Sequence, residues 1–429
     1  MSGANPADAV PRLVVPAGPR FAGVGAEFVR GTAMAGGIET PLAERLALIA
    51  EEVLGTTEEA AGPVGLSVQD RRHAVRLLVE IARADEVNLA GLDQSHAADP
   101  EDFEQVGLYL AARLAERLTT ELTGKGGLVL GFTVPRAYAE RAPSPPPEAL
   151  GTMAGAPSEP DDATLALLVD WAEAAGQGGP AFRNAARVVD RRAVGDLFAL
   201  VAHDARKRPV GGLAWQPFGR RLMALAGPAL LVAEAPARAA LAQALLDAAL
   251  GALARGKIQG LVVLEPSPDM PRDAFEVVGH LPDPAGGTHP VLFRALEEDP
   301  GGIAWTPPDL AEWVEASVRR LGLGRDIEAP PPPRRATGAV MAAETDRTAR
   351  RVTLRPLVAA RDAAAVAERN VALFRGQGFT SIRAALDLGR PEHAGFAAGL
   401  LAAGLAPAAL IPDAAGDLLL MAAPGDQAA

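Results

Sequence analysis

Apolar positions along this 429-residue chain recur at two spacings, and each spacing predicts a different element. Near the N-terminus Arg12 to Val15 predicts a strand and Phe21 to Ala35 an amphipathic helix. Leu42, Leu46, Ile49 and Val53 fall on one face of a helix over Pro41 to Leu54. Alternation over Val64 to Val68 and Ala74 to Glu80 predicts two paired strands joined by the polar turn Gln69-Asp70-Arg71-Arg72. A helix over Phe103 to Leu122 and a strand over Leu128 to Val134 follow, joined by the glycine-rich turn Thr123 to Gly127. Further on, the apolar strands Pro228 to Ala233 and Gly260 to Glu265 flank an alanine-rich helix over Ala237 to Arg255, the pattern of a parallel crossover. Strands over Phe275 to Leu281 and Pro290 to Arg294 precede a helix over Pro308 to Leu321. The C-terminal part predicts strands at Val352 to Leu357, Ile382 to Leu388 and Leu418 to Met421, with helices over Ala360 to Arg375 and Ala394 to Ala403.

Two proline-rich stretches interrupt this pattern, because proline lacks a backbone donor and keeps its predecessor out of helix. One spans residues 141–162 and the other 329–337, the latter holding the run Pro330 to Pro333, which favours a stiff spacer. The expected organisation is therefore a first domain over 1–140, a linker over 141–162, a second domain over 163–328, a linker over 329–337 and a smaller C-terminal α/β unit over 338–429. The length alone suits about three domains.

Charge and composition narrow the function. The net charge is −12, the wrong sign for a protein that neutralises phosphates, so no nucleic-acid partner is expected. Cysteine is absent, which removes disulfides, thiolate metal ligands and a cysteine nucleophile and makes a cytoplasmic location the default. The uncharged stretch Ala394 to Pro412 is broken by glycines and prolines, so no membrane span is expected, and Gly395-x-x-x-Gly399 reads as small residues packed on a neighbouring helix. The six histidines show no i,i+3 or i,i+4 pair, so no metal site is expected. Gly124-Lys125-Gly126 reads as a hairpin turn, Gly23-Val24-Gly25 as packing, and His280 and His289 as surface histidines beside a turn. From Ala329 onward 11 Arg face 9 Asp plus Glu, with Arg334, Arg335, Arg347, Arg350, Arg351 and Arg355 clustered as a basic, solvated or docking face.

The order of elements in 12–136, with Val106-Gly107-Leu108-Tyr109-Leu110 opening a helix before the glycine-rich turn, resembles the anti-sigma-factor serine kinases of the GHKL ATPase superfamily. That resemblance implies a Bergerat-like sandwich of helices on a sheet, with ATP held near Glu52, Asp85 and Gly107. The sequence departs from the family at two points. Thr56 and Thr57 stand where its magnesium-holding Asn is expected, and Asp85 lacks the following glycines that let backbone approach the base.

The run Leu241 to Gly256, with Phe275-Glu276-Val277-Val278-Gly279-His280-Leu281 after it, is similar to the cofactor helix and a later strand of the GNAT acetyltransferases, which implies a mixed-sheet domain. In that family a glycine-containing loop and the helix N-terminus hold the pyrophosphate of acetyl-CoA, which would place Arg238, Ala239 and Ala240 against the cofactor. Here the loop reads Glu234-Ala235-Pro236-Ala237-Arg238, with no glycine, a proline without N–H, and a carboxylate near the phosphates.

Two enzyme-like scaffolds with degenerate ligand loops predict a pseudoenzyme: an α/β interaction or regulatory protein that needs no cofactor and takes a protein partner through residues 1–140. The alternatives are an acetyl-CoA-dependent N-acetyltransferase and an ATP-dependent anti-sigma-type serine kinase.

Overall fold

The computed structural model describes residues 10–57, 62–83, 87–95, 103–123, 127–147, 150–177, 179–254, 256–283, 287–333, 335, 337–347 and 349–423. In chain order the elements begin β1 (Arg12–Pro16), α1 (Ala22–Ala35), α2 (Thr40–Thr56), β2 (Pro63–Asp70), β3 (Ala74–Ile81), α3 (Phe103–Leu114), β4 (Arg117–Leu122) and β5 (Leu128–Pro135). They continue with α4 (Asp162–Ala174), α5 (Ala185–Ala193), β6 (Phe198–His203), β7 (Pro209–Pro217), β8 (Leu222–Leu230), α6 (Ala235–Leu253) and β9 (Gly260–Val263). Then come β10 (Glu276–Pro282), β11 (Thr288–Ala295), β12 (Gly302–Trp305), α7 (Pro308–Arg320) and β13 (Arg325–Glu328). The chain closes with β14 (Val340–Asp346), β15 (Arg351–Val358), α8 (Ala363–Gly376), β16 (Ser381–Asp387), α9 (Ala397–Ala402), β17 (Ala406–Ile411) and β18 (Leu418–Ala422).

These elements form two compact units: Met1–Arg136 with Pro330–Leu386 and Pro391–Ala406, and Ala137–Ala329 with Asp387–Arg390 and Pro407–Ala429. The stretch 338–429, expected as a domain of its own, is divided between them. The reason is burial: a segment of a few short elements has too little apolar surface for its own core, and Val340 is fully buried in the core of the first unit.

In the first unit β1-β2-β3-β5-β4 form an antiparallel sheet. Period-two alternation sends Val75, Leu77, Val79 and Ile81 of β3 into one core with Leu46, Ile49 and Val53 of α2. Gly25 of α1 lets that helix close on α2 and β2: a Cβ there would lie 2.2 Å from Leu54 and 2.9 Å from Leu66. The expected helix over Phe103 to Leu122 stops at Leu114, and Arg117–Leu122 instead pairs with β5. Adjacent Thr119 and Thr120 suit a pleated surface better than a helix, and the ladder to β5 decides the outcome. The remaining strands of this unit, β14-β15-β16, combine an antiparallel and a parallel pair. The Gly395-x-x-x-Gly399 spacing marks close packing as expected, since a Cβ on Gly399 would lie 1.9 Å from the Ala364 carbonyl oxygen. The stretch read for a membrane span divides into a 3-10 turn, a six-residue helix and β17.

The second unit orders its strands β18-β17-β10-β11-β9-β8-β7-β6, with a separate parallel pair β12-β13. The parallel crossover read from the sequence is present: β8 and β9 run parallel, with α6 between them in the chain. Strand β8 begins six residues earlier than expected and is bulged against β7, where Gly212 faces Ala229 but Ala214 faces Ala226. The stretch 141–162 is not a free spacer along its whole length. Ser158 and Val201 exchange backbone hydrogen bonds, Ala154 N–H donates to His203, and Asp204 accepts from Gly151 N–H. Among the described residues no helix is long and apolar enough to cross a membrane.

Candidate functional site

Strands β8 and β9 pair only from Leu222–Gly260 to Ala224–Val262. Beyond Ala224 the remaining six residues of β8 have no ladder on the β9 side, so the strands part, and α6 starts just after the parting. Backbone groups beyond the end of the ladder need other partners. Leu230 N–H donates to Gln177 Oε1 at 2.8 Å, and the carbonyls of Leu230 and Val232 accept from Arg238 Nη1 at 3.1 and 2.8 Å. Arg238 turns its remaining donors to Asp269, Nε to Oδ1 at 3.0 Å and Nη2 to Oδ2. Its side chain is 24% exposed and that of Asp269 23%.

One guanidinium thus fastens the end of β8 to the segment after β9. Four of its five donors are named in these contacts, which leaves little for a phosphate. Glu234 occupies the N-cap with no side-chain hydrogen bond to the helix and is exposed. Pro236 removes one backbone donor from the first turn. Ala239 and Ala240 are exposed on the helix surface and carry no polar side-chain group. This donor set does not fit the pyrophosphate of acetyl-CoA.

The other set of sequence-derived residues lies in the first unit. Glu52 and Gly107 come together: a Cβ on Gly107 would lie 2.7 Å from Glu52 Oε2 and 2.8 Å from Thr56 Cγ2. The glycine lets α3 cross closely over the C-terminal half of α2. Burial, helped by the neighbouring Glu51, pushes the Glu52 carboxyl above its ordinary value. Thr56, at the position of the expected magnesium ligand, donates to the carbonyls of Glu52 at 3.0 Å and Val53 at 3.1 Å. Thr57 likewise donates to Leu54 at 2.9 Å. Asp85 lies outside the described residues.

Of the other motifs, His280 and His289 lie on adjacent strands of the β10-β11 hairpin, where His280 faces Pro290 and His289 faces Leu281. The basic cluster is largely engaged. Arg335 donates to Val87, Arg350 to Gly378, and Arg351 and Arg355 lie 3.7 and 4.0 Å from Asp346 and Glu344. Among the described residues no group of three His, Asp or Glu side chains is arranged to hold a metal.

Sequence reasoning missed the buried polar clusters. Asp93 accepts from Met341 N–H at 2.9 Å and from Asn370 Nδ2 at 2.9 and 3.0 Å. Arg325 donates to Asp299 and Asp417 at 2.7 to 2.9 Å. Asp387, held by Gly389 N–H at 2.9 Å and facing Arg390 at 3.3 Å, is pushed by burial up to about 6. Their partners lie up to 277 residues apart, and no local motif announces them.

Comparison with known proteins bears on the fold alone. No protein-family model matches the chain, and no curated protein does. Among solved structures, an aminoglycoside 6'-acetyltransferase type Ii is 17% identical, with 34% of this chain and 99% of that chain covered at a TM-score of 0.27. The GNAT-family N-acetyltransferase YhbS of Escherichia coli, solved with CoA, is 22% identical, with coverages of 36% and 86% and a TM-score of 0.26. A GNAT-family acetyltransferase from Desulfovibrio desulfuricans is 17% identical, with coverages of 32% and 93% and a TM-score of 0.25. Each of these matches spans about a third of this chain. Nothing in these comparisons supports a GHKL module.

Proposed function

We propose that this chain is a non-catalytic interaction or regulatory protein that uses an acyltransferase-like scaffold for its surfaces. The observation that carries this reading is Arg238. The one cationic side chain in the first turn of α6 is committed to Asp269 and to the carbonyls of Leu230 and Val232. Acyl transfer from a thioester requires the donor to be held in fixed geometry beside the acceptor. A helix start with a proline, no glycine and an exposed Glu234 offers a poor grip.

One observation favours a second reading, an acetyl-CoA-dependent N-acetyltransferase: the parallel β8–β9 ladder ends at Ala224–Val262, ahead of the N-terminus of α6. The anti-sigma-type kinase reading lacks such support, since the hydroxyls of Thr56 and Thr57 are spent within α2.

Thiol release from acetyl-CoA, measured over a panel of amine acceptors, tests the proposal. The expected result is release at the uncatalysed rate. Turnover that disappears in Arg238→Glu, with an unchanged circular dichroism spectrum, would overturn it in favour of the acetyltransferase.

A further inference from the structure

Strand β14 lies at the edge of its sheet, with β15 as its one neighbour among the described strands. Its Met341 faces Pro356 across that ladder, and the Met341 N–H turns instead to Asp93 Oδ2 at 2.9 Å. A free strand edge is a template for unwanted pairing, and here a buried carboxylate caps it. Asp93 ends a short strap in the same unit. Val87, Leu89 and Leu92 anchor this strap in the core, Arg335 donates to the Val87 carbonyl at 3.2 Å, and the Asp93 N–H closes a turn on Ala90.

The cage around Asp93 is short of hydrogens. Asn370 Nδ2 carries two, yet four oxygens lie within reach: Asp93 Oδ2 at 2.9 Å, Asp93 Oδ1 and the Val366 carbonyl at 3.0 Å, and Ser95 Oγ at 3.1 Å. Asn370 Oδ1 is buried and has no donor. One proton added to the carboxyl eases the competition, because the Ser95 hydroxyl, which donates to Asp93, can turn and accept instead. Without that proton a charge sits among neutral dipoles away from water, which is costly. Burial accordingly pushes the carboxyl above its ordinary 3.8, against the pull of the hydrogen bonds. The charged groups on the elements around it are turned elsewhere. On α3 Arg113 lies over Tyr109, and Glu116 just beyond is exposed. On β14 Glu344 lies toward Arg355 and Asp346 toward Arg351, while on α8 Glu368 and Arg369 are exposed and Asp362 accepts from the N–H groups of Gly338 and Ala339. None of these side chains forms a hydrogen bond or ion pair with Asp93.

We propose that Asp93 is a proton-controlled clasp on the edge of β14: protonated, it holds Met341 and Asn370, and ionised, it lets residues 93–95 swing away and returns the Met341 N–H to water. Val87, Leu89 and Leu92 keep the rest of the strap in the core, so the release is local. It also opens the small cavity that Gln94 lines together with Ala115, Leu118 and Ala343. The closed clasp holds the proton more tightly than the open one. Closure is therefore strongest below about pH 4 and weakens as the pH rises toward the folded-state value. The device is independent of whether the chain is catalytic.

The test is amide hydrogen exchange of the full-length protein, resolved to single amides, corrected for intrinsic rates and followed from about pH 4 to about pH 8. The Met341 N–H is expected to lose at least about tenfold in protection over that range, while Val79, fully buried in the core of the same unit, loses less than about twofold. Asp93→Asn keeps the shape and removes the titration, so its Met341 protection should not change with pH. Ser95→Ala deletes a hydrogen bond that favours the ionised carboxyl, so the fall should extend to higher pH than in the parent protein. Ser95 is half-buried, and this milder variant keeps the test valid if Asp93→Asn does not fold. Constant protection of Met341 in the parent, a parallel loss at Val79, a fall that survives in Asp93→Asn, or a Ser95→Ala profile that is unchanged or moved to lower pH would overturn the proposal.

Discussion

Asp93 in the first unit and Asp417 in the second are both almost wholly buried, at 1% and 2% exposure, and both bring distant parts of the chain together with different chemistry. Among the described residues the donors to Asp93 are neutral: the N–H groups of Met341 and Ser95, the Ser95 hydroxyl and the Asn370 amide. Asp417 is held by a cation, Arg325, which also grips Asp299 and is itself nearly buried. Burial raises both carboxyls above their ordinary values, the hydrogen bonds opposing it in each case. For Arg325 burial works downward, but the two carboxylates outweigh it and raise the guanidinium. Neutral donors satisfy a buried carboxylate without a second desolvated charge. An ion cluster couples more segments but leaves more uncompensated charge when one member is lost.

The largest expected effect is therefore in the second unit. Arg325→Met strands two carboxylates and should cost about 3–5 kcal/mol, read from denaturant unfolding. An unchanged midpoint would mean that water, rather than Arg325, satisfies these carboxylates.

Next is the pH dependence set by Asp387. Its folded pKa of about 6 lies above the ordinary 3.8, so the folded state binds more protons between those values. Its contribution to stability is complete below about pH 4 and is lost as the pH rises through 6. The ceiling is about 3 kcal/mol, reduced by solvent because the side chain is 29% exposed. Thermal unfolding at pH 4.5 and pH 7 should differ less in Asp387→Asn than in the parent protein. An identical difference would assign the dependence elsewhere, Asp93 being the counterpart in the first unit, with the same sign.

Asn370→Leu should cost about 1–3 kcal/mol, since it leaves Asp93 with fewer donors. A larger loss than that of Arg325→Met would reverse the ranking of the two clusters. The smallest effect is expected for Gly107→Ala, where a helix-propensity gain of up to about 1 kcal/mol opposes crowding against the side chains of Glu52 and Thr56 and, at 3.2 Å, the Glu52 carbonyl oxygen. A net change within about 1 kcal/mol is expected from thermal unfolding. A loss of several would show that α2 and α3 cannot yield.

Most local structure was legible because periodicity is a local property. Leu46, Ile49 and Val53, placed on one helix face by spacing alone, are fully buried. The parallel crossover around α6 followed from two apolar runs flanking an alanine-rich helix. The strand β4 was not legible, since Arg117–Leu122 continues a helical pattern and only pairing with β5 overrules it. Of the candidate site, the sequence found Arg238 and the missing glycines, and Glu52 with Gly107 do meet. It could not find that Arg238 is engaged by Asp269, 31 residues away.

The sequence by itself determined many of the helices and strands, such as α2 and the crossover around α6, that the chain is acidic, and that the ligand loops of its two family resemblances are depleted. Those features depend on residue identity and on spacings of a few residues. Only the tertiary structure decided that 338–429 is shared between two units and that Asp93 takes its partners from Met341 and Asn370. Each of these depends on sheet register and on which buried polar groups find partners across long chain separations, and hydrophobic spacing carries no record of either.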